Sequence, residues 1–251
     1  MVRGTYIAGT GMLLQRRLME NITHNITNAD TTGYKKENVV SHSFDSVMIE
    51  RIKDTHVVGY TRLVGPLNLG TQIDQLYINF EQGSFEGTER STDLALIGNV
   101  FFVMQTPAGE RYTRNGAFYI DEQGYLTDGE GNYLLGENGP IYVGGLNFSV
   151  DGLGGVWVDD EFVDRIRVAS FADNESLRKQ GSNLFYALED PEADTQAYGI
   201  RQGFLEISNV DIAREMVDMI SVYRTYETNQ RMLTMMDEIT GKAVNEIGRL
   251  R

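Results

Sequence analysis

The sequence predicts an α+β chain. N- and C-terminal helices pair as a coiled coil, and an antiparallel all-β domain is inserted between them. Two observations predict it. Apolar residues recur at helical spacing at both ends of the chain. Between them, all four prolines and 21 of the 27 glycines fall within residues 54–207. Charge segregates in the same way: +2 over 1–53, −15 over 54–207 and −1 over 208–251, a net −14 for 251 residues. These shifts divide the chain into an N-terminal helix and extended segment (1–53), a β-rich domain (54–207) and a long C-terminal helix (208–251). Near-neutral ends suit packing against protein, and an acidic centre suits water.

The first helix is expected from about Thr5 to Asn28. Leu14, Leu18, Met19, Ile22 and Ile26 form one stripe on it. It stops in the run Asn28-Ala29-Asp30-Thr31-Thr32-Gly33, where Asn and Gly tolerate positive φ and paired threonines favour an extended exit. Tyr34 to Ser43 reads as extended, and Phe44 to Lys53 as a short helix.

Short β-prone runs follow: Val100 to Met104, Ala117 to Ile120, Tyr133 to Leu135, Ile141 to Val143, Gly155 to Val158 and Ile166 to Phe171. Tight-turn pairs such as Asn115-Gly116, Asp128-Gly129 and Asp151-Gly152 separate them, the pattern of an antiparallel sandwich or barrel. Ser208, followed three residues later by Asp211, resembles a capping box. Beyond it Ile212, Met216, Met219, Tyr223 and Tyr226 recur at steps of 4, 3, 4 and 3, a heptad seam that Leu233 extends. A helix this long needs a partner for its seam, and the N-terminal stripe supplies one. Two helices packed across one globular core are the alternative.

Composition also excludes functions. An acidic protein repels phosphate backbones and anionic lipid, which disfavours nucleic-acid and membrane-surface binding. The absence of cysteine excludes disulfides, thiolate zinc sites and thiol catalysis. His24, His42 and His56 have no metal-ligand spacing. Asp128, Glu130 and Asn132 imitate the start of a calcium loop, but Tyr133 and Gly139 stand where such a loop needs Gly and Glu, so a β-turn is expected. Asp159, Asp160 and Glu161 are adjacent carboxylates that point in different directions, an acidic turn rather than a glycosidase pair. Trp157, the sole tryptophan, reads as a core residue rather than a sugar platform. No catalytic residue, metal, cofactor or small-molecule substrate is expected. No segment reaches the ~18 continuous apolar residues of a membrane span. The N-terminal stretch runs into Arg16 and Arg17 without a small-x-small cleavage site, so it is expected to stay in the mature protein.

Both ends resemble one family. Residues 21–36, NITHNITNADTTGYKK, resemble the N-terminal signature of bacterial flagellar axial proteins, roughly A-N-N-L-A-N-x-x-T-x-G-[YF]-[KR]. Asn25, Asn28, Thr31, Gly33, Tyr34 and Lys35 match it, whereas Thr23, His24, Ile26 and Thr27 depart from its Ala, Asn, Leu and Ala. Residues 203–226 resemble the C-terminal signature G-x-L-E-x-S-N-V-(D/N) followed by a heptad helix. Gly203, Leu205, Glu206, Ser208, Asn209, Val210 and Asp211 match. Between them, 98–137 resemble the start of the family's outer β-domain, best at Tyr112 to Gly116.

The resemblance implies a basal-body rod subunit, of distal or proximal type, without enzymatic activity. The terminal helices would stack into the inner tube of a helical filament, with the β-domain outside. It further implies self-assembly, contacts with other rod and hook proteins, and transient passage through the flagellar type III export apparatus. The implied location is the basal body, outside the cytoplasmic membrane, reached without a cleaved signal peptide. Hook proteins carry extra outer domains, so 251 residues favour a rod type. A hook-type or accessory axial protein and a secreted wall-glycan-binding or glycan-cleaving protein are the alternatives.

Overall fold

The computed structural model describes residues 2–51, 62–181, 183–191 and 198–247. His56 and the 53/54 boundary lie outside the described residues. The chain forms two compact units. One comprises 1–24, 37–77 and 212–251, and the other comprises 25–36 and 78–211.

In the first unit, helix α1 spans Val2–Thr27 and helix α2 spans Ile212–Ile247. They run antiparallel where they meet: a Cβ added at Gly4 would lie 3.0 Å from Met236 Cε, and one at Gly11 would lie 3.0 Å from Asn229 Nδ2. Gly4, Ala8 and Gly11 are spaced 4 and 3 apart on α1, and these small residues let the larger α2 side chains approach closely. The stripe expected on α1 faces inward in part, with Ile22 buried and Leu14, Leu18 and Met19 half-buried.

The remaining strands of this unit form two pairs. Glu37–Ser43 pairs with Thr71–Ile78, and Val47–Arg51 pairs antiparallel with Arg62–Leu67. The short helix expected over Phe44 to Lys53 is therefore corrected to a strand over Val47–Arg51, with 52 and 53 outside the described residues. Val47 through Arg51 find ladder partners in 62–67, and this non-local pairing overrides the local pattern.

The second unit is built on an eight-stranded antiparallel sheet. Its order is Leu177–Gln180, Leu184–Ala187, Gly109–Thr113, Val100–Thr106, Tyr133–Leu134, Leu126–Thr127 and Tyr119–Ile120, and Val168–Ser170 also pairs with Val100–Thr106. The central strand Val100–Thr106 is buried on both faces, so it reads as a continuous apolar run rather than an alternation. Val100, Phe102 and Met104 enter one core with Leu94, Phe118 and Leu126, while Phe101 and Val103 enter another with Tyr112, Phe171 and Phe185.

A three-stranded sheet, Phe148–Val150, Gly155–Val158 and Glu161–Arg165, lends Phe148 and Val156 to the first core. Two strand pairs complete the unit: Leu94–Ile97 with Gly199–Gln202, and Phe85–Gly87 with Phe204–Glu206. The run Ile141 to Val143 makes a single isolated bridge, from Tyr142 to Tyr125, instead of a strand, between Pro140 and the Gly144-Gly145 pair. Asp128 Oδ1 accepts from the Glu130 and Asn132 amides, so this carboxylate closes a turn. Trp157 is not a core residue: it stands outward between the inward Val156 and Val158, 38% exposed.

Candidate assembly site

Within the second unit, three stretches distant in sequence converge on one carboxylate. Glu206 ends the strand Phe204–Glu206, its side chain pointing inward. Its Oε1 accepts from Lys35 Nζ at 2.6 Å and from the Gly83 amide at 2.9 Å. Its Oε2 faces Arg114 Nη1 at 3.4 Å. All three charged side chains are 1% exposed.

The two cations have further partners. Lys35 Nζ donates to the Glu81 carbonyl at 2.8 Å, and Arg114 Nη2 donates to the Gly98 carbonyl at 2.7 Å. The Arg114 guanidinium also lies 4.9 Å from the centre of the Phe101 ring. With one carboxylate between two cations, the cluster holds a surplus positive charge in a low-dielectric setting. Burial pushes the Lys35 ammonium below its ordinary value; Glu206 opposes that shift and Arg114 adds to it. Burial likewise lowers Arg114 against the pull of Glu206.

The backbone is locked at the same place. The Gly33 amide donates to the Glu206 carbonyl at 2.8 Å. Gly33 has φ +68, and a Cβ there would run into the Asn115 amide and lie 2.7 Å from the Arg114 carbonyl oxygen. Only glycine meets both demands. Thr32 Oγ1 donates to Asn115 Oδ1 at 2.7 Å, fastening the same two stretches beside it. The Lys36 amide donates to Asn209 Oδ1 at 2.8 Å, and Asn209 Nδ2 donates to the Asn79 and Glu81 carbonyls.

The expected N-terminal residues therefore meet the expected C-terminal ones. Asn25 and Tyr34 are buried and bonded through Tyr34 Oη to Asn25 Oδ1 at 3.1 Å, with Lys179 Nζ 4.1 Å above the Tyr34 ring. Asn28 and Thr31 are half-buried and bonded to each other in the turn that ends α1. Ser208 is buried, Val210 is half-buried and Asp211 is exposed. The Ser208 hydroxyl accepts from the Val210 amide, two residues on. Because α2 begins at Ile212, the expected capping box is replaced by this local turn. Arg114 and Glu206, which complete the cluster, lie on motif stretches, yet no spacing in the sequence marks them as partners.

In the first unit, α2 carries two apolar surfaces. Glu215, Met219, Val222, Tyr226, Asn229, Met236, Thr240 and Ala243 are buried or half-buried and follow heptad spacing. Of the expected seam, Met219 and Tyr226 lie on this covered stripe, and Leu233 shares its phase at 37% exposed. Ile212, Met216 and Tyr223 stand exposed beside it, together with Val217 and Ile220; Met216 is 52% and Ile220 55% exposed. Further along, Met232, Met235 and Ile239 form a second exposed group.

Comparison with known proteins agrees along the whole chain. Residues 201–246 match the family described as flagellar basal body rod FlgEFG protein C-terminal, and 95–181 match the flagellar hook protein FlgE/F/G D1 domain. The chain is 31% identical to the flagellar hook-basal body complex protein FlhO of Bacillus subtilis (strain 168), over 100% of both chains. It is 30% identical to the flagellar basal-body rod protein FlgG of the same organism, over 98% of this chain and 99% of the relative. It is 29% identical to the flagellar basal-body rod protein FlgF of Caulobacter vibrioides, over 98% of each. The chain belongs to the flagellar rod and hook axial protein family.

Proposed function

We propose that this member of the flagellar axial family is a structural subunit of the basal-body rod, polymerising with copies of itself into a torque-bearing shaft. One observation carries the reading: α2 leaves Met216, Val217, Ile220 and Tyr223 exposed beside a stripe that is already covered. A face of this kind is satisfied by a neighbouring subunit, and head-to-tail contacts that do not close build a helix.

In this proposal α1 and α2 form an antiparallel coiled coil. Residues 1–53 and 208–251 contribute the inner tube, and 54–207 the outer domain. The N-terminal motif residues Asn25 to Lys35 and the C-terminal residues Ser208 to Asp211 hold the chain's ends in the assembly-competent form. Other rod and hook proteins are the axial partners. The subunit is exported without a cleaved signal peptide and acts in the basal body, outside the cytoplasmic membrane. Among the described residues no helix is long and apolar enough to cross a membrane. A structural rather than catalytic role suits this buried charged cluster, because Lys35 and Arg114 are both bonded to Glu206 and all three side chains are closed to solvent.

Deleting the gene tests this reading. The rod assignment predicts non-motile cells whose isolated basal bodies lack a complete rod and hook in electron micrographs. Complete hooks and filaments in the deletion strain would overturn it.

A further inference from the structure

The three-stranded sheet presents an aromatic pair to solvent that neither core uses. Trp157 and Phe162 are cross-strand partners, with ring centroids 5.4 Å apart at 69°. Trp157 is 38% and Phe162 52% exposed. The indole lies close enough to the Asp151 carboxylate to help hold it ionised. That carboxylate also accepts from the Leu153 and Gly155 amides, each at 2.8 Å. Although burial pushes it up, the Gly155 and Leu153 amides, the indole and Arg165 hold the Asp151 carboxyl below its ordinary range.

Charge decides what such a face attracts. Asp159 and Asp160 form the two-residue turn of the hairpin, at φ 49 and 66, and Glu161 follows on the strand that carries Phe162. None of the three has an ion-pair partner among the described residues, and the nearby Arg165 lies 3.7 Å from Glu137. The patch therefore combines aromatic faces, whose quadrupole attracts cations, with the free carboxylates of the turn, Asp159 and Asp160, while Glu161, paired with the inward Val158, lies on the other face. A second copy approaching through its own β-rich region, which carries −15 over 54–207, would be repelled. A neutral glycan stacks on aromatic rings but gains nothing from the net charge of that turn.

We propose that the outer face of the hairpin 155–165 is a docking surface for a cationic segment of another protein, which lays arginine or lysine side chains over Trp157 and Phe162. The inference goes beyond the rod reading and is tested on purified protein, so its failure is distinct from failure of the motility test.

Trp157 is the only tryptophan, so its fluorescence reports on this patch alone. The full-length protein would be titrated with a hexa-arginine peptide at low ionic strength, and separately with the neutral glycan chitohexaose. The peptide should change the emission saturably, and added salt should reverse the change. Asp159→Asn/Asp160→Asn keeps residue types that tolerate positive φ and should weaken binding about tenfold; Phe162→Ala should do the same. Glu122→Gln/Glu130→Gln removes equal charge from exposed turns of the same unit and should change affinity by less than about twofold. Circular dichroism would confirm that each variant is folded. Equal weakening by the two double variants, no response to the peptide, or a response to chitohexaose alone would each overturn the proposal.

Discussion

Around Glu206 the protein buries charge, and along α2 it exposes apolar surface. Each is unfavourable taken alone. At the junction the cost is met within the chain: Lys35, Arg114 and the Gly83 amide converge on one carboxylate, and Gly33 admits the backbone approach beside it. On α2, Met216, Val217, Ile220 and Tyr223 are left more than half exposed by the described residues. The difference separates a part that is complete in one subunit from a part that needs another. Substitutions at the junction should act on the folding of the free chain. Substitutions on the exposed face of α2 should act on assembly.

The largest effect on the free chain is expected for Glu206→Gln, which leaves two buried cations without their carboxylate. Breaking a buried ion pair costs about 3–5 kcal/mol. Lys35→Met should cost clearly less, because it removes the surplus cation and keeps the neutral Arg114–Glu206 pair. Urea unfolding followed by near-UV circular dichroism would rank the two. Equal losses would show that the junction is not organised around the carboxylate.

Gly33→Ala comes next. A non-glycine residue held at positive φ costs about 1–3 kcal/mol, and here the new methyl also meets the Asn115 and Arg114 backbone. The same unfolding measurement reads it, and a loss below ~0.5 kcal/mol would mean that the turn shifts freely.

A smaller effect depends on pH. Lys35 binds its proton less tightly in the folded chain than in the unfolded one, so the unfolded state holds more protons between the lowered value and 10.5. Stability relative to Lys35→Met should therefore rise with pH through that window. A relative fall would mean that the Glu206 carboxylate outweighs burial. Parallel unfolding curves for both proteins against pH would give the sign.

The smallest effect on the free chain, and the largest on the assembly, is expected for α2. Leu233→Asp should leave unfolding of the β-rich unit within about ±0.5 kcal/mol of the wild type, yet block rod formation. Glu238→Ala should be tolerated. Scoring protein outside the cytoplasm separately from rods in isolated basal bodies distinguishes an export defect from an assembly defect. Normal secretion with normal rods in Leu233→Asp would remove residues 210–248 from the assembly contact.

The sequence makes the two regions legible to different degrees. The long helix shows itself because its spacing is local: Met219, Tyr226 and the positions between them repeat at 3 and 4. Its covered stripe is harder to read, because polar Asn229 and Thr240 share it and apolar Ile220 and Val217 do not. On α1 the close approach is made by Gly4, Ala8 and Gly11, which carry almost no hydrophobic signal. Phe44 to Lys53 reads as helical until its partner strand 62–67 is known. Trp157 reads as a core residue from its bulk and apolar character, a reading that passes over the period-two alternation by which Val156 and Val158 on either side leave it on the outer face. The Lys35–Glu206 pair joins residues 171 apart, a separation at which no local pattern can announce a contact.

The most direct test of the contrast is amide hydrogen exchange on a verified monomer. The account predicts strong protection where the junction closes, at the Gly33, Gly83 and Ile207 amides, which donate to Glu206 and Ser84. It predicts weak protection along α1 and α2, because helices with uncovered apolar faces are marginal in water. On polymerisation the helices should become protected while the junction changes little. Protection along Leu14 to Ile26 and Met216 to Leu233 as strong in the monomer as at the junction would contradict the account, since the helices would then be complete without a neighbour.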